Sequence, residues 1–156
     1  MDPAALPYID EHVIDVGADA ADVWPELLEG LERSFSHRAA EIYARVIGCE
    51  DTAAGGPRPF AVGSTIPGFH VTASTSRSEL VLEGRHRFST YALLFRIEPV
   101  RPGRARLHAE TRAAFPGWAG RAYRLMIIGT GGHVVAVRRL LSGISRRAEA
   151  RERALA

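Results

Sequence analysis

Residues 87–115 decide the fold: RFSTYALLFRIEPV over Arg87–Val100, then RARLHAETRAAF over Arg104–Phe115. Both runs alternate apolar and polar residues with period two, the pattern of strands that bury one face. Pro102-Gly103 supplies the turn between them. Beyond Phe115-Pro116-Gly117, the stretch from about Trp118 to Arg151 reads as one helix, about 50 Å long at ~1.5 Å per residue. A strand of about twelve residues reaches roughly 40 Å. A helix of that length can lie along a sheet of such strands, and a sheet that curves around it encloses a pocket.

Folding the two runs about their turn pairs Ile97 with Leu107, Phe95 with Ala109, Leu93 with Thr111 and Tyr91 with Ala113. The opposite face pairs Glu98 with Arg106, Arg96 with His108, Leu94 with Glu110 and Ala92 with Arg112. That second face is mostly polar and is expected to meet solvent. On the inner face, large residues of one strand oppose Ala109, Thr111 and Ala113 of the next, so side-chain volume is missing there. The helix adds Gly129, Gly131 and Gly132 in its middle, each costing roughly 1 kcal/mol relative to alanine. Close packing on the sheet, a bend, or room for a ligand would each account for them. Beside the small residues of the sheet, they mark the expected floor of a pocket.

The rest of the chain fits an α+β plan. Tyr8–Val16 is a strand ended by Gly17, and Asp19 or Asp22 caps a helix reaching about Arg33. With Asp22 as the cap, Pro25 falls in the first turn, where its missing N–H does no harm. Ser36 is the expected cap of a second helix through about Val46. Cys49–Phe60 is dense in Gly and Pro and reads as a lid or entrance loop. Strands then follow at Val62–Ile66, Phe69–Thr75 and Ser78–Glu83, with turns at Pro67-Gly68 and Gly84-Arg85, the latter suited to a type II′ hairpin. Helices gathered on one face of an antiparallel sheet give a two-layer domain over 1–156, with an arginine-rich C-terminal end free to fray.

Composition narrows the chemistry. Apolar residues make up 46% and charged residues 24% of the 156, as in ordinary globular domains. All 20 basic residues are arginine, so neither a Schiff-base lysine nor a phosphate-loop lysine exists. The single cysteine, Cys49, excludes an internal disulfide and a thiolate metal cluster. A net charge of +2 does not point to nucleic acid. Six arginines, from Arg138 to Arg153, crowd the last turns as a solvated helix face or a partner surface. No basic start followed by an apolar run opens the chain, and the apolar stretch Leu125–Val137 is too short and too interrupted for a membrane span. The expectation is cytoplasmic.

Three stretches carry a resemblance: VIDVGADAADVWPELL (Val13–Leu28), GRHRFSTYALLF (Gly84–Phe95) and LHAETRAAFPGWAGRAYRLMIIGTGGH (Leu107–His133). With the element order, they resemble the helix-grip fold of the START-like (SRPBCC) superfamily. Its members include polyketide cyclases, lipid-transfer proteins and pollen-allergen-like proteins, and the likeness is to a bacterial branch with no assigned activity. The resemblance implies a curved antiparallel sheet wrapped around a long C-terminal helix, with two short helices after the first strand. It also implies a hydrophobic small molecule or lipid as the partner, and neither a cofactor nor a metal. It fixes no reaction, because many functions share this fold. A cyclase, aromatase or dehydratase using the same cavity is one alternative. A non-catalytic interaction or oligomerisation protein, with a possible homodimer, is the other.

The expected cavity lining is Phe69, Val71, Arg87, Tyr91, Leu93, Phe95, Ala109, Thr111, Tyr123, Met126, Thr130 and His133. Catalytic residues are not assignable. The six histidines form no HExxH frame and no i,i+4 pair, so a helical zinc motif is absent. His133 reads as a core histidine with one hydrogen bond, as a pocket group, or as an acid/base. Tyr91 and Tyr123 read as core rings with locally bonded hydroxyls or as ligand contacts. Arg87 either snorkels to solvent or meets an acidic group at the mouth. His70 and His108 belong on the outside.

Overall fold

The computed structural model describes all 156 residues. A short 3₁₀ turn, Pro3–Ala5, leads into β1 (Tyr8–Val16), α1 (Ala20–Phe35) and α2 (Arg38–Ile47). Then come β2 (Thr65–Ile66), β3 (Phe69–Thr75), β4 (Glu79–His86), β5 (Ser89–Arg101) and β6 (Arg104–Ala114). The chain ends with α3 (Gly117–Arg124), a π-helical turn over Leu125–Gly129, and α4 (Gly132–Leu155). The six strands form one antiparallel sheet in the order β1-β6-β5-β4-β3-β2. Every β5–β6 pair expected from the alternation is present, including Tyr91 with Ala113 and Phe95 with Ala109.

The core lies where the sheet's inner face meets α1 and the second half of α4. Leu27 and Leu31 of α1, Ile144 of α4, and Leu80, Leu82, Phe95 and Leu107 of the sheet are all essentially fully buried. Gly30 lets the two helices approach, since a Cβ there would stand 2.9 Å from Ile144 Cγ1. Above this contact, Glu26 gathers Arg147 at 3.5 Å and Arg151 at 3.8 Å. This accounts for two of the six C-terminal arginines as ties between α4 and α1. The helix runs on to Leu155, past those ties.

Local expectations are narrowed or corrected. Of the two candidate caps, Asp19 is the N-cap residue of α1, so Pro25 sits in the helix interior; Asp19 spends its carboxylate on the Gly103 N–H in the β5–β6 turn at 2.8 Å. His37, not Ser36, caps α2, its Nδ1 accepting from the Ala40 N–H at 3.1 Å. The loop after α2 is tied to the body of the domain: Phe60 is buried, and Arg58 donates to the carbonyls of Gly55 and Thr65. The β4–β5 turn falls at Arg87-Phe88, three residues later than Gly84-Arg85 suggests, which leaves Gly84 inside β4 opposite Tyr91.

The C-terminal helix is also not continuous. Gly131 adopts φ +76° and ends the π-helical turn, and the segments on either side meet at 49°. Left-handed backbone is cheap only for glycine, so this residue makes the bend. No single helix is long and apolar enough to cross a membrane. The outer sheet face is not wholly solvated either. Val81, Glu83 and Ala92 are buried, where Arg112 reaches to the Ala4 and Leu6 carbonyls of the N-terminal segment.

Candidate ligand cavity

Between the sheet and the helices lies a cavity of about 770 Å³. β6 contributes Ala109, Thr111 and Ala113, and β5 contributes Tyr91, Leu93 and Phe95. Small residues on β6 therefore hold the space open, as the volume mismatch across the hairpin predicts. Phe35, Tyr43 and Ala44 close it from α1 and α2, while His133, Val137 and Leu140 close it from α4. The exposed lining residues Arg33, Ser34, Tyr43, Arg139 and Arg146 mark its opening.

Of the residues expected at the cavity, Phe69, Tyr91, Leu93, Phe95, Ala109, Thr111, Tyr123 and His133 stand on its wall. Four do not. Val71 is sealed in the core at 2% exposure. Arg87 lies in the β4–β5 turn and donates to the Val46 carbonyl at 3.3 Å, at the end of α2, where a helix favours a cation. Met126 and Thr130 point outward because the π-helical turn rotates their faces away from the sheet. Gly129 and Gly131 are likewise off the wall, and Gly132 alone of the three glycines touches it. The pocket floor is made by the alanines of β6, and the glycines make the bend.

An aromatic and polar cluster occupies the end of the cavity nearest the β4–β5 turn. Tyr91 donates to the Gly68 carbonyl at 2.6 Å, so the Cys49 thiol, 3.8 Å from the hydroxyl, donates to Tyr91. The Tyr43 and Tyr123 hydroxyls bond to each other at 2.8 Å and join α2 to α3. The His86 ring packs edge-on to Tyr123 with centroids 4.8 Å apart. Burial dominates the ionisation here. It pushes Tyr91 and Tyr123 well above the usual phenol range, raises the Cys49 thiol and lowers the His86 imidazole. Near neutral pH this end of the cavity is uncharged.

A second polar group sits at the start of α4. His133 Nε2 lies 3.0 Å from Thr111 Oγ1 and 3.3 Å from Asp10 Oδ1, and Asp10 Oδ2 lies 3.2 Å from His12 Nε2. An ionised Asp10 can only accept, so the His133 Nε2 that faces it carries a proton. Two further histidines lie off the cavity: His70 pairs with Asp51 at 2.8 Å, and His108 lies between Glu11 and Glu98 on the outer face.

Strand order, the gripped C-terminal helix and the cavity between them define the architecture. The chain has the helix-grip fold. Solved structures share this fold across nearly the whole chain. The Zhui aromatase/cyclase of a Streptomyces species matches at TM-score 0.61 and 16% identity, covering 94% of this chain and 95% of that one. Norcoclaurine synthase of Thalictrum flavum matches at TM-score 0.57 and 12% identity, covering 90% and 94%. A protein from Thermobifida fusca matches at TM-score 0.52 and 17% identity, covering 88% and 91%. At such identities the likeness is one of fold. No protein-family model and no curated protein matches the sequence.

Several wall residues of this helix grip escape a reading of the sequence, among them Tyr43, Cys49, His86 and Ser89. His86 had a signal, since it shares the parity of Leu80 and Leu82 along β4. Placing the turn at Gly84-Arg85 hid it. Tyr43 and Cys49 come from α2 and the loop after it, and their approach to β5 is a tertiary event with no periodicity of its own.

Proposed function

We propose that the protein binds a hydrophobic small molecule or lipid in the cavity between the curved sheet and α4. The observation that carries this reading is the cavity itself, about 770 Å³ with 20 of its 34 lining residues hydrophobic. Protein interiors pack like organic crystals, and ligand pockets fall at ~300–1,000 Å³ with mostly apolar walls. Native mass spectrometry of the purified protein, with thermal-shift assays against fatty acids, sterols and polycyclic aromatics, tests it. At least one class is expected to raise the melting temperature in the native protein and to lose that effect in Ala109→Trp, which fills the cavity. A panel that stabilises neither protein, or both equally, would overturn the reading.

A second reading, an enzyme of the cyclase, aromatase or dehydratase kind, draws support from His133. Its Nε2 is held by Asp10 and Thr111 on the cavity wall, the arrangement of an oriented proton-transfer group. The shared fold with an aromatase/cyclase agrees with it without assigning a reaction. Incubation with a linear poly-β-ketone thioester decides between the readings. Turnover that disappears in His133→Ala and weakens in Asp10→Asn supports the enzyme; an unchanged substrate leaves a binding protein.

A further inference from the structure

We infer that the end of the cavity beneath the β4–β5 turn is a carbonyl-binding subsite, built from His86, Ser89 and the Tyr43–Tyr123 hydroxyl pair. The inference rests on the ligand-binding reading above and adds a ligand class: an apolar molecule carrying a ketone, aldehyde or quinone oxygen.

Three groups in this corner have hydrogen-bond donors with no protein acceptor. Ser89 is 3% exposed, faces the cavity, and its Oγ has no hydrogen-bond partner in the protein. Buried hydroxyls are ordinarily satisfied, and an exception calls for an explanation. His86 is the cross-strand partner of Ser89. Its Nδ1 accepts from the Phe88 N–H at 3.1 Å, so the neutral ring must carry its proton on Nε2. Nε2 has no hydrogen bond within the protein. The third donor comes from the two tyrosines. One hydroxyl proton closes the 2.8 Å bond between Tyr43 and Tyr123, and the other, on this exposed pair, is open to solvent or to a ligand. All four side chains line the same cavity, and the Tyr123 ring touches that of His86.

Donors that share a cavity wall and lack a protein acceptor suit an oxygen that only accepts. A carbonyl fits this description, whereas a carboxylate would need a cation beside it. Arg87, next in the chain to His86, turns its guanidinium away to the Val46 carbonyl. Burial keeps His86 neutral, so the corner offers polarity without charge.

The probe is a dialkylamino-naphthyl ketone, whose emission moves to the red when its carbonyl accepts a hydrogen bond. The same naphthalene with an isopropyl group in place of the acyl group is the control. In the native protein the ketone is expected to emit to the red of its value in dry apolar solvent. In Ser89→Ala and in His86→Gln the emission should move to the blue and the affinity should fall about five- to tenfold, as for one lost hydrogen bond. The isopropyl control should bind native and variant proteins alike. If ketone and control both bind but neither emission nor affinity changes in the variants, the subsite is wrong and the cavity reading stands. If neither naphthalene binds the native protein, both fail together. The two variants are independent, so misfolding of one leaves the other to decide.

Discussion

The ring of Tyr91 occupies the space that a side chain at position 84 would need. A Cβ on Gly84 would stand 2.4 Å from Tyr91 Cε2 and 2.1 Å from the Gly68 carbonyl oxygen. Because Gly84 and Tyr91 are direct cross-strand partners, the ring lies flat over β4 and its hydroxyl reaches the Gly68 carbonyl. Gly84→Ala is therefore expected to destabilise the protein by about 1–3 kcal/mol through overpacking. At roughly 2–4 °C per kcal/mol for a domain of this size, differential scanning calorimetry should resolve the fall in melting temperature. A variant that melts with the native protein would show that both Tyr91 and the Gly68 carbonyl move aside without cost.

Gly131 makes a contrasting case. Nothing lies within 4 Å of a Cβ built there, so the cost of Gly131→Ala is conformational alone, from its φ of +76°. A loss of about 1–2 kcal/mol is expected, with no loss of secondary structure by circular dichroism. If the helix were instead to straighten in the variant, hydrogen exchange in residues 125–131 would slow, and the bend would belong to this glycine; a variant as stable as the native protein and still bent would assign it to the sequence around it.

These two glycines mark the boundary of what the sequence made legible. The β5–β6 register follows from strict alternation, because a one-residue slip would turn Phe95 and Leu107 to solvent; that pairing, and with it Ala109, Thr111 and Ala113 on the wall, was readable. Gly84 looks like a turn residue in one dimension, and only the neighbouring Tyr91 ring explains it. The helix from Trp118 onward has continuous helical composition, so the π-helical turn that exposes Met126 and Thr130 left no periodic trace. Asp10 and His133, separated by 123 positions, meet because β1 pairs with β6 beneath the start of α4. Local pattern does not encode such a meeting.

Cys49 gives a chemical readout of the cavity's interior. Burial raises its thiol above the ordinary 9.0, and the Asp51 carboxylate adds to the rise. The thiolate is the nucleophile, so alkylation by iodoacetamide near pH 8 should run slower than in the denatured chain. The rate should still be climbing with pH above 9.0. Mass spectrometry of the modified chain across that range measures it, and an inflection at or below 9.0 would place the thiol in water. A bound naphthyl ketone should slow the reaction further, since Cys49 lines the cavity.

His86 links the cavity to stability. Burial alone holds its imidazole below the ordinary 6.5 in the folded protein. Well above 6.5 the ring is neutral in both states and contributes no pH dependence. As the pH falls through 6.5, the unfolded chain takes up a proton that the folded protein does not, which favours unfolding. The loss grows until the pH reaches the lower, folded-state value, below which both states are protonated and the difference is constant. The melting temperature of the native protein should thus drop more steeply on acidification from neutral pH than that of His86→Gln, which has no proton to gain. The remaining histidines are present in both proteins, so the difference between the two curves isolates this residue. Parallel curves would mean that His86 is hydrated in the folded state, and the uncharged corner inferred for a carbonyl would lose its foundation.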